Sequence, residues 1–155
     1  MATIVMADFD FGDCDFERKM VEAAGIQFKS FDDARNRTPA EIIEHLHGAD
    51  GAITSYGRFT AEVFAALPQL KVVSKTGTGV DNIDVKYAEA NGITVKNTPK
   101  ASSQSVAELA MGHMFSCARY LSIAGHTMRE GKWEKKAYGK GIELQGKTLG
   151  IVGFG

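Results

Sequence analysis

Five short, mostly apolar runs, each separated from the next by a helix-forming stretch, restrict the fold of this chain more than any other feature. Strands that alternate with helices of about 8–10 residues predict βαβ units, and therefore a parallel sheet. Short apolar strands are expected where helices cover both faces of the sheet. We therefore predict an α/β lobe with its strands at residues 4–7, 26–28, 49–54, 71–75 and 93–95.

Capping residues mark where several of the helices begin. Thr38, Pro39 and Glu41 match a capping box with proline at the first helical position. Thr60 and Asp84 carry oxygen atoms that commonly accept hydrogen bonds at helix N-termini. The sequence thus predicts helices that begin directly after Thr38, Thr60 and Asp84.

Beyond residue 98 the pattern changes to one long helical stretch. Ser105 and Glu108 predict a second capping box, and Gly131 predicts the end of the stretch. We expect Cys117 in the protein core, on an apolar helix face that consists of Val106, Ala110, Met114, Cys117 and Leu121. Residues 148–152 then predict a new strand that opens a second lobe.

Composition and charge exclude several classes of protein. The 155 residues include 18 basic and 19 acidic side chains, a balance that does not favour nucleic-acid binding. The basic stretch at 129–147 is interspersed with glutamates, which indicates a solvated face or a subunit contact. Two distant cysteines and scattered histidines match neither a disulfide framework nor a metal site. We expect no metal, no membrane span and a cytoplasmic protein with reduced thiols.

Two loops at the predicted carboxyl edge of the sheet are candidates for ligand binding. Residues 75–82 contain two glycines, which let backbone N–H groups turn towards an anion. Residues 54–58 add hydroxyl groups and a guanidinium that suits a carboxylate or phosphate. A plain glycine turn and an ordinary loop explain the same residues, so the spacing by itself leaves both interpretations open.

The last three residues resemble the start of a dinucleotide-binding motif. Gly153, Phe154 and Gly155 follow an apolar run, as in the first half of G-x-G-x-x-G. The third glycine and the helix whose N-terminus binds the phosphate are not among the 155 residues. We therefore expect the chain to stop inside a phosphate loop.

Several motifs together resemble the D-isomer-specific 2-hydroxyacid dehydrogenases. In chain order they are Val72–Asp84, Asn97–Pro99, Ser105–Glu108, Arg129–Trp133 and Gly146–Gly155. Their order and spacing are similar to those of that family, most specifically from residue 71 onwards. The resemblance is closest to the D-3-phosphoglycerate dehydrogenase branch.

The resemblance implies two lobes with an active site in the cleft between them. Residues 1–98 would form a flavodoxin-like, parallel-sheet substrate-binding lobe. Residues 99–155 would form linker helices and the first strand of an incomplete Rossmann NAD-binding lobe. The catalytic Arg, Glu and His of this family are expected beyond residue 155, so we expect the intact protein to be an enzyme and this chain alone to be inactive.

The resemblance also implies roles for individual residues. Backbone amides of two loops would bind the substrate carboxylate, and the residues concerned are Ser55, Tyr56, Gly57, Lys75, Thr76, Gly77 and Thr78. The cofactor NAD would be contacted at its nicotinamide end by Thr78 and Val106. Its pyrophosphate would lie against Gly153, Phe154 and Gly155.

The activity implied is NAD-dependent oxidation or reduction at the CH–OH group of a D-2-hydroxy acid. The phosphoglycerate branch usually has arginine at the positions of Thr54 and Lys75. Lys75 keeps the positive charge of an arginine but cannot form its paired hydrogen bonds to one anion, and Thr54 carries no charge. The substrate types that stay open are therefore 3-phosphoglycerate, hydroxypyruvate and glyoxylate. The resemblance further implies that the intact protein is a homodimer that uses residues 105–121 and 129–138. The alternatives are a non-catalytic, NAD-sensing relative similar to a corepressor and an inactive truncated product.

Overall fold

The structure, a computed structural model, describes residues 1–9, 12–31 and 37–153. It divides into two compact units, Met1–Ala101 and Ser102–Gly155. The first unit contains five parallel strands, which are β1 Thr3–Met6, β2 Gln27–Ser30, β3 Gly51–Thr54, β4 Val72–Lys75 and β5 Thr94–Asn97. Their order in the sheet is β2-β1-β3-β4-β5, which is the flavodoxin-like order. The predicted α/β fold with a parallel sheet is therefore confirmed.

Four helices connect these strands, and three of them begin as the capping residues predict. They are α1 Asp15–Ala23, α2 Pro39–Leu46, α3 Ala61–Ala66 and α4 Val85–Ala90. Thr38 Oγ1 accepts from the Glu41 N–H at 3.3 Å, while Glu41 Oε2 accepts from the Thr38 N–H at 2.7 Å. The side chains of Thr60 and Asp84 each accept from the backbone N–H three residues further on. Local polar chemistry thus determines where these helices begin.

The core of the first unit covers both faces of the sheet. Consecutive strand residues point to opposite faces, so neighbouring residues of β1 pack in different clusters. Val5 belongs to a cluster with Ala52 and Val73 and with the buried side chains of α2 and α3. Met6 packs with Phe28 and other residues on the opposite face. Strands of only four residues are held rigidly in this way, and they support the loops that follow their carboxyl ends.

The second unit consists of three helices without a sheet in its described part. They are α5 Ser103–Arg119, α6 Leu121–Arg129 and α7 Lys135–Tyr138. The predicted long helical stretch is present, with a break at Tyr120, whose φ of 57° is left-handed, and an end at Gly131. Among the residues described, no helix is long and apolar enough to cross a bilayer.

The predicted capping box at Ser105 is wrong. Helix α5 begins at Ser103, two residues before Ser105, so Ser105 lies inside its first turn. The N-cap residue is Ser102, and its side chain makes no capping bond. The Glu108 carboxylate instead accepts from Gln104 Nε2 at 2.8 Å, one turn along the same helix. The Ser-x-x-Glu pattern therefore matched the spacing of a capping box without marking the first residue of the helix.

Two further expectations for the second unit are also wrong. Cys117 is exposed. The later part of the chain contacts the neighbouring residue instead: Ala118 is buried, and its carbonyl accepts from the Ile142 N–H at 2.9 Å. Residues 148–152 form no strand. A β-strand is stabilised by hydrogen bonds to a neighbouring strand, and the described residues of this unit contain no strand with which residues 148–152 could pair. The predicted start of a Rossmann sheet is therefore not formed here.

The acidic side chain before β3 makes stability depend on pH. Asp50 accepts from Lys71 Nζ at 2.7 Å and from the Thr3 N–H at 3.0 Å, and these bonds hold the pKa of its carboxyl below the usual range. A lowered folded-state pKa stabilises the fold above the unfolded-state pKa, and this contribution is lost as the pH falls through the folded-state pKa.

We expect Lys71→Met to raise the pKa of Asp50 towards its ordinary value, because the substitution removes the larger of the two interactions. Carboxyl NMR titration measures this pKa, and urea unfolding across acidic pH measures the associated stability. The difference in unfolding free energy between wild type and Lys71→Met should shrink as the pH falls. The control is Lys86→Met on α4, which should leave the titration of Asp50 in place.

Candidate functional site

The two predicted binding loops lie side by side at the carboxyl edge of the sheet. Thr54 ends β3 and Lys75 ends β4, and these residues are register partners. The Thr76 N–H donates to the Thr54 carbonyl at 2.9 Å, and the hydroxyl oxygens of Ser55 and Thr76 lie 2.5 Å apart. The structure therefore brings together residues 55–57 and 75–78, which the sequence identified in two separate stretches.

Asp8 organises the first of these loops, and the sequence analysis did not identify it. The residue follows β1, which is the neighbour of β3, and it is only 1% exposed. Its Oδ1 accepts from the Thr54 hydroxyl and from the Gly57 N–H at 3.2 Å. Its Oδ2 accepts from the N–H groups of Ser55 and Tyr56. The available signal was an acidic residue directly after a buried apolar run, where a charge has to find partners.

These bonds fix the direction in which the first loop presents its backbone. The N–H groups of Ser55, Tyr56 and Gly57 all donate to Asp8, a residue 47 to 49 positions away. Such convergent N–H groups would otherwise form a concavity suited to an external anion. The expected role of these three amides was to hold a substrate carboxylate, and in the structure they hold a carboxylate of the protein itself.

Lys75 places a cation between the two loops. Its ammonium group donates to the Ser55 carbonyl and lies 5.6 Å from the centroid of the Tyr56 ring. The residue is half-buried, so its charge is less screened than that of a fully exposed lysine. Lys75 therefore supports the first loop and offers positive charge to a ligand at the second.

The second loop offers open hydrogen-bond donors. Its shape is fixed by Asn97 Nδ2, which donates to the Thr78 carbonyl at 2.7 Å, and by Gly77, whose φ of 153° favours glycine. Thr78 and Gly79 are exposed, and no described residue accepts from their backbone N–H groups. These two N–H groups and the Lys75 ammonium together suit a carboxylate.

Asn82 links the far end of the second loop back to the first. Its Nδ2 donates to the Gly57 carbonyl at 2.6 Å, and its own carbonyl accepts from the Phe59 N–H at 2.8 Å. Phe59 is fully buried in the core cluster. The two loops are thus braced against each other and against the core, so a ligand between them meets a preformed edge.

The remaining predicted site residues belong to the second unit. Val106 is 61% exposed on α5, and Gly153 is exposed with a φ of 84°. Phe154 and Gly155 lie outside the described residues. The described part of the chain contains no group of three His, Cys, Asp or Glu residues that could hold a metal ion.

Comparison with known proteins gives a consistent result. The family model for the D-isomer specific 2-hydroxyacid dehydrogenase catalytic domain matches residues 7–147. The chain is 53% identical over 103 residues to a hydroxypyruvate reductase from Thermotoga maritima, a match that covers 66% of this chain and 33% of the relative. It is 42% identical over 139 residues to the human D-3-phosphoglycerate dehydrogenase, which covers 89% of this chain and 25% of the relative.

A solved structure shares the fold. The NAD⁺-bound 3-phosphoglycerate dehydrogenase of Entamoeba histolytica aligns with a TM-score of 0.67 and 27% identity, over 93% of this chain and 43% of that one. The chain therefore spans a third or less of the length of these two curated relatives and less than half of this structure.

Close packing around Asp8 requires glycine at position 57. A Cβ atom there would lie 2.8 Å from Thr54 Oγ1 and 3.0 Å from Asp8 Oδ1. We expect Gly57→Ala to lower the free energy of unfolding by about 1–3 kcal/mol, because the buried bonds must shift to admit the methyl group. Urea denaturation measures the effect.

Gly79→Ala is the matched control at the same sheet edge. A Cβ atom at residue 79 would meet only the Asp81 carboxylate, at 3.2 Å, on an exposed side chain that can move. Its effect should stay within about 0.5 kcal/mol. Equal stability of the two variants would contradict the packing that we describe around Asp8.

Proposed function

Because the chain belongs to the D-isomer specific 2-hydroxyacid dehydrogenase family, we propose that it forms the substrate-binding part of an NAD-dependent dehydrogenase for a small D-2-hydroxy acid. The observation that supports this most directly is the pair of open N–H groups at Thr78 and Gly79, in the same loop as Lys75, whose ammonium lies 3.4 Å from the place that a Cβ atom would take at Gly77. This donor set suits one carboxylate at the carboxyl edge of a parallel sheet, where ligands bind in such folds.

The substrate carboxylate would accept hydrogen bonds from the second loop. The N–H groups of Thr78 and Gly79 are exposed and directed by a loop that Asn97 and Gly77 hold in place. These bonds would be charge-assisted, and about twice as strong as neutral ones, because the acceptor is a carboxylate. The Lys75 ammonium would add electrostatic attraction to the same anion. The Ser55 and Thr76 hydroxyls lie beside this position and would contact the rest of the substrate.

The residues present suit the proposed cofactor NAD. The exposed hydroxyl of Thr78 would contact the nicotinamide end of the cofactor. In the second unit, Val106 offers an exposed apolar surface for the cofactor. Gly153 has a φ of 84°, which favours glycine, and its backbone without a side chain would let a pyrophosphate approach closely. When bound, NAD would accept or donate the hydride. Phe154 and Gly155, the other two residues proposed for the pyrophosphate, lie outside the described residues.

In this proposal, the residues of this chain bind and orient the substrate. The site offers hydroxyl groups, N–H groups and a cation, which would hold a 2-keto acid by its carboxylate. In the first unit, His45 and His47 lie at the end of α2, before β3, and so at the opposite edge of the sheet. We propose that the acid–base residues of the enzyme are supplied outside this chain and that the chain alone is inactive.

The substrate would be of the hydroxypyruvate, glyoxylate or 3-phosphoglycerate type. The relatives named above act on hydroxypyruvate and D-3-phosphoglycerate. Lys75 and the open N–H groups serve the carboxylate that all these acids share, so the second loop does not distinguish between them.

A chimera tests the proposed function. In it, the 103 residues of this chain that match the Thermotoga maritima hydroxypyruvate reductase replace the corresponding residues of that enzyme. We expect NADH oxidation with one or more 2-keto acids of a panel that includes hydroxypyruvate and glyoxylate. A folded chimera that oxidises no NADH with any of them, while the parent reductase is active, would contradict the proposal.

Substitution of Lys75 in the same chimera tests the anion site. We expect Lys75→Met to raise KM by about tenfold to a hundredfold, because a hydrogen-bonded charge partner is lost. Lys75→Arg should retain most of the affinity, since it keeps the charge. Lys71→Met, at the opposite end of β4, is the control and should leave KM unchanged. Steady-state kinetics measure all three.

We also propose a homodimer of a protein in a reducing, cytosolic setting. Cys14 and Cys117 are both free. Large apolar side chains on α5 and α6 are exposed, among them Leu109, Phe115, Leu121 and Ile123. Burial of apolar surface of this kind drives subunit association.

Sedimentation velocity tests the dimer. We expect the chain to sediment as a dimer at micromolar concentration, and Phe115→Glu to shift it towards the monomer because a charge would enter the apolar interface. Lys140→Glu, a charge change at an exposed position outside α5 and α6, is the control. Sedimentation of the wild-type chain as a monomer at all concentrations would contradict the dimer.

A further inference from the structure

The N–H groups at the centre of the sheet edge are occupied by the protein itself. The strand order changes direction between β1 and β3, and crevices at such a switch point are where open α/β sheets bind ligands. Asp8 follows β1, and the loop that donates to it follows β3. The crevice that would suit an anionic ligand is thus filled by an internal carboxylate.

The open donors lie one strand further along the sheet. The N–H groups of Thr78 and Gly79 follow β4 and have no acceptor among the described residues. The two loops adjoin each other. The hydroxyl oxygens of Ser55 and Thr76 lie 2.5 Å apart, and the Lys75 ammonium, which donates to the Ser55 carbonyl, lies 3.4 Å from the place that a Cβ atom would take at Gly77. A small acid that is held by its carboxylate at the second loop would therefore extend towards the first loop.

We propose that Asp8 is a positioning residue that determines specificity, by confining the anionic end of the substrate to the second loop and disfavouring a second anionic group at the first. This inference rests on the proposed function and adds a substrate class to it. The favoured substrates are 2-hydroxy and 2-keto acids whose far end is uncharged, such as a hydroxymethyl group or a hydrogen atom.

Two effects of Asp8 act in this direction. It accepts from the N–H groups of Ser55, Tyr56 and Gly57, so these three backbone donors are not free for a phosphate at the first loop. Its own negative charge also lies directly behind those N–H groups and repels a further anion. Arg58 is the adjacent cation, but it is exposed, and solvent screens its charge more strongly than that of the buried Asp8.

The experiment compares two acids that differ only by a phosphate group. D-glycerate and D-3-phosphoglycerate are titrated separately into the ¹⁵N-labelled 155-residue chain, with amide resonances as the readout. In the wild-type chain, we expect glycerate to shift the Thr78 and Gly79 amides. We also expect the Ser55 and Tyr56 amide protons to resonate downfield, because they donate charge-assisted hydrogen bonds to Asp8, and to stay downfield at saturation.

Asp8→Asn tests the specificity directly. An asparagine side chain has one acceptor oxygen and one donor group, so it cannot accept from all the donors that Asp8 satisfies. The variant therefore frees N–H groups of the first loop and removes a charge. We expect the ratio of the dissociation constants, D-3-phosphoglycerate over D-glycerate, to fall about tenfold, the size of one unit charge acting on a dianion a few ångströms away in a high dielectric.

Asp84→Asn is the matched control. It removes one negative charge from the same unit and keeps a good helix cap, because asparagine caps as well as aspartate. The ratio for this variant should equal that of the wild type. A fall of the same size in Asp84→Asn and Asp8→Asn would overturn the inference, since net charge would then explain it.

The wild-type titration decides the question even if Asp8→Asn fails to fold. Loss of the downfield Ser55 and Tyr56 signals when either acid binds would overturn the inference, since the substrate would then displace Asp8. Binding of glycerate at Thr78 and Gly79 with an unchanged ratio in a folded Asp8→Asn variant would also overturn it, while leaving the proposed function in place. Binding of neither acid at the second loop would overturn the proposed function and the inference together.

Discussion

The buried carboxylate of Asp8 is the interaction on which the site depends. An ionised carboxylate away from water is costly unless hydrogen bonds replace its hydration, and here one hydroxyl and three N–H groups do so. Hydrogen bonds to a charged group each contribute about 1.5–3 kcal/mol, so the arrangement holds a loop that has no other backbone ladder. The bonds to Asp8 also set the direction of the loop carbonyls. Lys75 Nζ donates to the Ser55 carbonyl, and Asn82 Nδ2 donates to the Gly57 carbonyl.

Local patterns in the sequence were enough to predict most of the first unit. The helix starts at Thr38, Thr60 and Asp84 follow from side chains that bond within three residues, and such contacts can be read from spacing. The two loops were predicted to share the carboxyl edge, because parallel strands all end there. Asp8 was missed because its partners lie 46 to 49 positions away, and neither periodicity nor capping rules address a contact of that range.

In the second unit, too, the sequence predicted local features and did not predict contacts between distant residues. The existence and the end of its long helical stretch were predicted, since helical periodicity and Gly131 are local signals. The predicted burial of Cys117 and the predicted strand at 148–152 were wrong, because burial and strand pairing both depend on partners that are distant in the chain. Ser105 failed for a different reason: the same four-residue pattern occurs inside a helix as readily as at its start.

The long range of the Asp8 contacts also couples the loop to the stability of the whole sheet. Loop closure over nearly 50 residues is complete only after β1 and β3 have paired, so the loop has no native geometry in a partly unfolded chain. An acid bound against this edge therefore binds the folded state alone. By mass action it adds about RT ln(1 + [L]/Kd) to the unfolding free energy of the sheet, so an acid that binds only the loops stabilises the pairing of strands that it does not touch.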